Sequence, residues 1–280
     1  MAAVPGAAVA AGERAPRGST TRTVTVRRTR RLTPHMVRLV LGGDGLDGFA
    51  PTCADAYVKL LFGTSGAEAR PVMRTYTVRD WDAEARELTI DFVVHGDEGL
   101  AGPWADAARP GDTIDLRGPG GTYDPSSDAP WHLLVGDDSA LPALAVAASR
   151  VPAGARVLAV VEVGDASDEQ ALASSGELEV VWAHRTAASS PTPGVALVEA
   201  VARLGLGALA AERGVPQVFL HGEAGAVRTI RRALRTDGLL GADASVSGYW
   251  RLGRDDEGWR AEKRDWQASL EQDDATLTRV

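Results

Sequence analysis

Between residue 21 and about residue 120, apolar positions recur every second residue or gather in β-branched runs. The stretches "TRTVTVRRTRRLT", "MVRLVLGG", "YVKLLFG", "MRTYTVRD", "RELTIDFVVH" and "DTIDLRGP" are separated by Gly, Pro and Asp. A period of two broken by turn residues is the signature of short strands, and six of them predict a closed or nearly closed antiparallel barrel of Greek-key type. Within "ELTIDFVVH", Leu88, Ile90, Phe92 and Val94 fall on one face.

The Gly/Pro/Ser-rich segment "GPGGTYDPSSDAPW" interrupts this texture and marks a boundary. Beyond it the elements alternate. "WHLLVGDD" and "ARVLAVVEV" read as buried strands with "ALPALAVAASR" as a helix between them. Strand "ELEVVWAHR" precedes one helix, "GVALVEAVARLGLGALAAE", and "QVFLHG", "AGAVRTIRRALRTDG" and "ASVSGYW" read strand, helix, strand. Such alternation builds a parallel sheet with helices on both faces. The expected plan is a mobile tail over residues 1–18, an antiparallel β-barrel domain over 19–124 and a parallel α/β domain over 130–280. The charged C-terminal stretch carries Trp259 and Trp266, which predict a short packed helix.

Composition narrows the function classes. At 280 residues, 44% hydrophobic and 24% charged, the chain has room for two globular domains. Its net charge of −8 argues against general attraction to nucleic acid or an anionic membrane, so any anionic ligand must meet a local basic patch. The single cysteine, Cys53, excludes an intrachain disulfide, a thiolate zinc site and a cysteine-ligated cluster, and fits a reducing, cytoplasmic setting. No protein metal-ligand set is visible. No run reaches the ~18 apolar residues of a membrane span, and the arginines of the first segment follow its apolar part, the wrong polarity for a secretory signal. A monomer or weak homodimer is expected.

The chemistry begins at "VMRTYTVRDWD". On a strand Arg74, Tyr76 and Val78 point one way while Thr75, Thr77 and Arg79 point the other. Arg pairs phosphate through two bonds and Tyr offers a flat surface, so the two together suit a flavin nucleotide. An ordinary exposed strand is the competing reading. In "DFVVHGDEGLAGPWA", Gly99, Ala101 and Gly102 are small enough for backbone N–H groups to approach a pyrophosphate. His95, alone, reads equally as a plain strand end. "VGDDSALPALAVA" sets a strand end against a helix start, where Asp138 and Ser139 read as helix caps.

Six motifs in order, "RTYT" at 74–77, "DFVVHGDEGLAGPWA" at 91–105, "GDTIDLRGPGG" at 111–121, "GDDSALPAL" at 136–144, "HGEAGAVRTIRRAL" at 221–234 and "SGYWRLG" at 247–253, resemble the siderophore-interacting protein family. These are FAD-dependent ferric-siderophore reductases of the ferredoxin-reductase superfamily, and the resemblance spans roughly residues 20 to 265. It implies an FAD site formed by Arg74, Thr75, Tyr76, Thr77, Asp91, Phe92, Val93, His95, Gly99, Ala101, Gly102, Pro103 and Trp104. Arg74 would meet phosphate, while Tyr76 and Thr77 flank the reactive ring and are the catalytic candidates. Where family members often carry Ser or Thr, this chain has Gly102 and lacks a hydroxyl donor. His221 likewise replaces a smaller residue.

For the nicotinamide nucleotide the resemblance implies Ser139 and Ala140, with Asp138, and Gly222, Glu223 and Ala224 closing over the nicotinamide. A carboxylate in "VEVGDASDEQ", Glu162 foremost, accepts from a ribose 2′-OH and repels a 2′-phosphate, which favours NADH over NADPH. Arg185 reverses that preference if it reaches the same ribose. The substrate implied is a ferric siderophore, often anionic, so Lys59, Arg251 and Lys263 are candidates for a basic mouth, with Tyr249 and Trp250 as its apolar wall. Two other functions share some of these features: a flavin-dependent reductase of an organic substrate, and a non-catalytic siderophore-binding module. The arginines of "AVRTIRRALR" (Arg228, Arg231, Arg232, Arg235) read as a solvated helical stripe.

Overall fold

Two edges of one sheet meet because only two residues separate them. The computed structural model describes residues 20–63, 71–95 and 99–277, so the tail expected over 1–18 lies outside the described residues. Strands β1 (Arg22–Thr33), β2 (Met36–Gly42), β3 (Tyr57–Phe62), β4 (Val72–Thr77), β5 (Asp80–Asp82), β6 (Glu87–Val93) and β7 (Thr113–Gly120) form one antiparallel sheet in the order β4-β3-β7-β1-β2-β6-β5. β4 and β5 are its opposite edges, yet the chain passes from one to the other through Val78 and Arg79 alone. The sheet must therefore curl into a barrel. Arg79 N–H donates to Thr89 O at 2.9 Å, and the Tyr76 and Phe92 rings lie 4.3 Å apart across the closure.

All six runs read from the pattern are strands; β5 is too short for a period to register. Val58, Leu60, Leu88, Ile90, Phe92 and Leu116 are fully buried within the barrel, and helix α1 (Ala101–Ala107) adds Ala101 and Ala105 to the same core.

The second half holds a five-stranded sheet of β8 (His132–Gly136), β9 (Arg156–Val163), β10 (Glu177–His184), β11 (Gln217–Glu223) and β12 (Ser245–Trp250), ordered β10-β9-β8-β11-β12. Every pairing in it is parallel. Helices α2 (Leu141–Arg150), α3 (Val195–Arg203), α4 (Leu206–Arg213) and α5 (Ala224–Thr236) cover it, which is why β8, β9 and β11 read as continuous apolar runs. The single helix expected from residue 194 is two. Gly205, at φ 59°, takes a left-handed conformation that interrupts it between α3 and α4.

Helix α6 (Asp256–Leu277) runs 22 residues, far longer than the short helix expected around the two tryptophans. Trp259 and Trp266 are buried and meet edge to face at 5.5 Å, and Trp266 Nε1 donates to Ala224 O at 3.2 Å. This corrects the reading of the arginine stripe on α5. Arg228 donates twice to Asp273, at 2.8 and 3.0 Å, and Arg231 donates to Leu270 O at 3.2 Å, so the stripe holds α6.

The two halves share a core in which Met36 and Ala54 of the barrel pack with Leu144 and Phe219 of the parallel sheet. Arg150 ties the seam through Thr52 O at 2.8 Å and Asp124 at 3.1 Å, and His35 Nδ1 lies 2.9 Å from Asp168. If α6 is integral to this core, Trp266→Ala lowers the free energy of unfolding by about 3–5 kcal/mol, the usual cost of emptying a buried indole site. Urea titration followed by far-UV circular dichroism measures it.

Candidate functional site

On β4 the pairing with β3 sets which side chains face inwards. Arg74 pairs Leu60 and Tyr76 pairs Val58, both core positions, while Thr75 and Thr77 pair Lys59 and Tyr57 on the outer side. Arg74 therefore reaches the barrel's open end next to α6. It forms ion pairs with Asp256 at 2.6 Å and Glu257 at 2.9 Å, and Arg260 Nη2 donates to Met73 O at 2.6 Å. Tyr76 is half-buried and Thr75 exposed. Behind Tyr76 lies Phe92, then Trp104 at 5.8 Å, then Phe62 at a further 5.8 Å, so three predicted residues join one aromatic row.

Around the following turn, Val93, Gly102, Pro103 and Trp104 are half-buried, His95 and Gly99 exposed, and Ala101 buried; residues 96–98 lie outside the described residues. A Cβ added to Gly102 would meet Val93 O at 3.3 Å, which is tight for a larger residue. Asp91 stands apart from this group. Its buried carboxylate faces the other side of β6 and accepts from Arg38 Nε at 2.6 Å and Nη2 at 2.7 Å, so it anchors strands instead of turning to the aromatic row.

At the carboxyl edge of the parallel sheet the residue that organises the site is Asp137, not its neighbour. Its Oδ1 accepts from Ser139 N (3.0 Å), Ser139 Oγ (2.5 Å) and Ala140 N (3.2 Å), and its Oδ2 from Glu223 N (2.7 Å) and Trp250 Nε1 (2.9 Å). Burial pushes this carboxyl up to about 6, with Asp138 adding to the rise and the donors opposing it. The capping expected of Asp138 and Ser139 thus belongs to Asp137, and the N–H groups of Ser139 and Ala140 are already taken. "GDD" offered two equivalent carboxylates; only the fold decides which turns inward. Gly222 sits at φ 141°, where a Cβ would meet Asp137 Oδ2 at 2.7 Å. Glu223 caps α5 through Ala226 N (2.7 Å) and accepts from Leu252 N (3.1 Å), while Ala224 is buried beneath α6.

Glu162 is not at a ribose. It is fully buried, and its oxygens accept from Gly194 N (2.8 Å) and Leu197 N (2.9 Å) at the start of α3. Arg185 donates to Asp138 at 2.8 Å and to Glu162 at 3.3 Å. Both residues expected to discriminate NADH from NADPH are engaged with the chain itself, so Glu162 gives no preference for NADH.

Of the residues expected at a basic mouth, Lys59 and Lys263 come together: each is half-buried, burial lowers the Lys263 ammonium's basicity, and Lys59 adds to that lowering. Arg117, inside "GDTIDLRGPGG" but not among the expected site residues, pairs Lys59 in the β3–β7 register and shares its face. Strand pairing across 58 residues carries no local sequence signal, which is why it was missed. Arg251 instead pairs Glu262 at 2.9 Å, and Trp250 serves Asp137. Tyr249 is a seam residue, not an open wall. Its hydroxyl lies 2.8 Å from His221 Nδ1, and its ring packs into the core shared by the two halves. Among the described residues no group of three or more His, Cys, Asp or Glu could hold a metal ion, and no helix is long and apolar enough to cross a membrane.

An antiparallel barrel with an Arg-x-Tyr-Thr edge strand, followed by a parallel sheet whose carboxyl edge faces it, defines the fold of the ferredoxin reductases. A ferredoxin–NADP+ reductase from Plasmodium falciparum shares that fold at 11% identity with a TM-score of 0.63. Residues 129–253 match the model of the siderophore-interacting proteins, and 25–69 with 64–123 match the siderophore-interacting FAD-binding domain. The siderophore-interacting protein SipS from Aeromonas hydrophila is similar over 89% of this chain and 99% of its own, at 30% identity and a TM-score of 0.75. A siderophore utilization protein from T. fusca is 37% identical, covers 84% of this chain and 94% of its own, and has a TM-score of 0.72. The ferric vibriobactin reductase ViuB of Vibrio cholerae is 28% identical over 84% of this chain and 91% of its own length. The chain belongs to the siderophore-interacting protein family.

The residues present fit the FAD this family implies. Arg74 already holds two carboxylates as it would hold two phosphate oxygens, and burial keeps Asp256, one of those carboxylates, above the usual range. An exchangeable anion on a half-enclosed guanidinium beside an aromatic face is the donor set a flavin nucleotide requires.

His221 supplies a measurable consequence of burial. Desolvation, with Lys263 adding to it, pushes the imidazole down from 6.5 to about 3. A lowered folded value means that stability is present above pH 6.5 and is lost as pH falls, because the unfolded chain then binds a proton that the folded chain refuses. Between about pH 6 and 5, wild type should therefore lose about 1.4 kcal/mol per pH unit more than His221→Phe, read from urea midpoints at each pH.

Proposed function

We propose that this chain is an FAD-dependent reductase of ferric siderophores, driven by NADH or NADPH, that releases iron as Fe(II). The observation supporting it most directly is that Arg74, next to the Tyr76–Phe92 aromatic pair, holds exchangeable carboxylates of α6, while Lys59 lies on the outer side of the same strands and near Lys263 of α6. FAD, when bound, takes two electrons together from the nicotinamide and passes them singly to ferric iron.

In this reading Arg74 holds phosphate and releases Asp256 or Glu257 to do so. Tyr76, backed by Phe92, gives the ring a flat wall, with Thr75, Val93 and His95 at its margins. Thr77 directs a hydroxyl at the ring's reactive edge. The backbone from Gly99 to Trp104 approaches the diphosphate, and the bare Gly102 leaves that contact to N–H groups. The nicotinamide nucleotide lies along Asp138 and Ser139 at the start of α2, the half-buried residues at that strand end, while the expected Gly222–Ala224 turn is buried. Lys59 and Lys263 neutralise an anionic chelate that the overall charge of −8 would repel. Iron is held by its chelator as substrate, so no protein ligands are needed. Reduction weakens the hold of hard oxygen donors, which prefer Fe(III).

The decisive experiment is the visible spectrum of purified protein reconstituted with FAD under anaerobic conditions. A yellow protein that bleaches with NADH or NADPH and regains its colour on adding Fe(III)–EDTA or a ferric catecholate is expected. Protein that binds no FAD sinks the reading, and bleached protein that quinones reoxidise but ferric chelates do not points to an organic substrate. Arg74→Ala weakens FAD binding about 10- to 100-fold, the value of a charge-assisted bond, by fluorescence titration. Lys59→Glu with Lys263→Glu raises KM for an anionic ferric chelate and leaves the bleaching step unchanged.

A further inference from the structure

We propose that the first turn of α6 competes with FAD for Arg74 and acts as a latch on the cofactor site. Loading the cofactor then releases the start of the helix from the barrel. The inference rests on the flavin reading above and adds to it a control exerted by the chain's own acidic residues.

Acidic residues in a first turn favour the helix dipole wherever they point. Asp256 and Glu257 do more than that, because they reach a strand of the other domain. Asp256 Oδ2 and Glu257 Oε1 lie 2.6 and 2.9 Å from Arg74 Nη1, and Met73 O accepts from the same nitrogen at 3.1 Å. A terminal guanidinium nitrogen carries two hydrogens, so three acceptors cannot all be met at once. One of the carboxylates is therefore loosely held. The Arg74 side chain is 16% exposed, against 40% for Asp256 and 56% for Glu257, so the carboxylates can turn to water while the cation stays half-enclosed. A phosphate arriving on that cation brings more negative charge against both of them.

The fold lets the release stop after one turn. Asp255 caps the helix, its Oδ1 accepting from Gly258 N at 2.8 Å and its backbone O from Trp259 N at 2.9 Å. Gly258, inside that turn, is a weak helix former, whereas Trp259 directly after it is buried and packs on Trp266. The helix is thus loose before Trp259 and fixed from it onwards. A further tie to β4, from Arg260 Nη2 to Met73 O, is a single exposed bond. Asp256 is not stranded when it leaves Arg74, since Arg260 and Lys263 of its own helix both attract it. Lys263 lies beyond Trp259, so its place beside Lys59 is kept.

Asp256→Asn with Glu257→Gln keeps the shape and the Asp255 cap and removes both charges. FAD, and riboflavin, which carries the same ring without phosphate, are titrated by fluorescence against full-length wild type and the double variant. The variant should bind FAD about three- to tenfold more tightly than wild type, the usual size of two partly exposed ion pairs, and riboflavin within about twofold. In an Arg74→Ala background the same two substitutions should change FAD affinity by less than about twofold. Amide hydrogen exchange over residues 255–262, read by mass spectrometry in wild type, should quicken on adding FAD. FAD affinity unchanged or lowered in the double variant overturns the proposal. So does an equal gain for riboflavin, a gain that persists without Arg74, or slower exchange of the first turn when FAD binds. Wild-type protein that binds neither FAD nor riboflavin overturns the flavin reading first, and the latch falls with it.

Discussion

A buried carboxylate with five donors is the constraint from which the rest of the seam follows. Asp137 leaves the end of β8 and accepts from the chain just past it, from the end of β11 and from Trp250 at the end of β12. An anion 1% exposed survives only if its lone pairs are met, so three strand ends must stay at fixed separations. Gly136 and Gly222 follow from the same crowding. A Cβ at Gly136 would meet His221 O at 2.6 Å, and one at Gly222 would meet Asp137 itself. Pinning Trp250 places Tyr249 one residue earlier on the opposite face, turned towards the barrel. The placing of Tyr249 in the seam thus depends on a carboxylate that holds its neighbour Trp250.

Helix α6 supplies the second tie. Its first turn presents Asp256 and Glu257 to Arg74 in the barrel, and its middle buries Trp259 and Trp266 against α5 and β12. Arg228 and Arg231 then hold its far half. Because Arg74 is the barrel's anchor for α6, a phosphate held there on the proposed reading would exchange with a carboxylate and would not meet a bare cation. That exchange lowers the net gain from binding but spares the apo protein an unpaired, half-enclosed charge.

How much of this was legible follows the range of each interaction. Period-two alternation is local, so six of the seven barrel strands and the direction of Arg74 and Tyr76 could be read directly. Strand–helix alternation placed the parallel sheet and its carboxyl edge equally well. What eluded the pattern is long-range. Asp137 and Asp138 differ only in which one the closing sheet swallows, Glu162 is drawn inwards by a helix start 32 residues later, and Arg117 reaches Lys59 through a pairing no turn announces. The α5 arginines misled because a charged stripe looks the same whether water or a second helix covers it. The α3–α4 break was written in the sequence as Gly205, yet apolar periodicity ran through it.

Lys59 and Lys263 come from a strand and a helix whose contact depends on everything above, and the consequence concerns how a charged molecule finds them. The field of the summed charge of −8 reaches furthest at low salt, when the Debye length is long, and is largely screened beyond about 8–10 Å at physiological ionic strength; close to the site the nearby ammonium groups count most. On the proposed reading, an anionic chelate is repelled during its approach at low salt and attracted at contact. Salt relieves the first effect and weakens the second, so capture should be fastest at an intermediate ionic strength, and a site that recruits by contact instead of by long-range field discriminates by fit more than by charge.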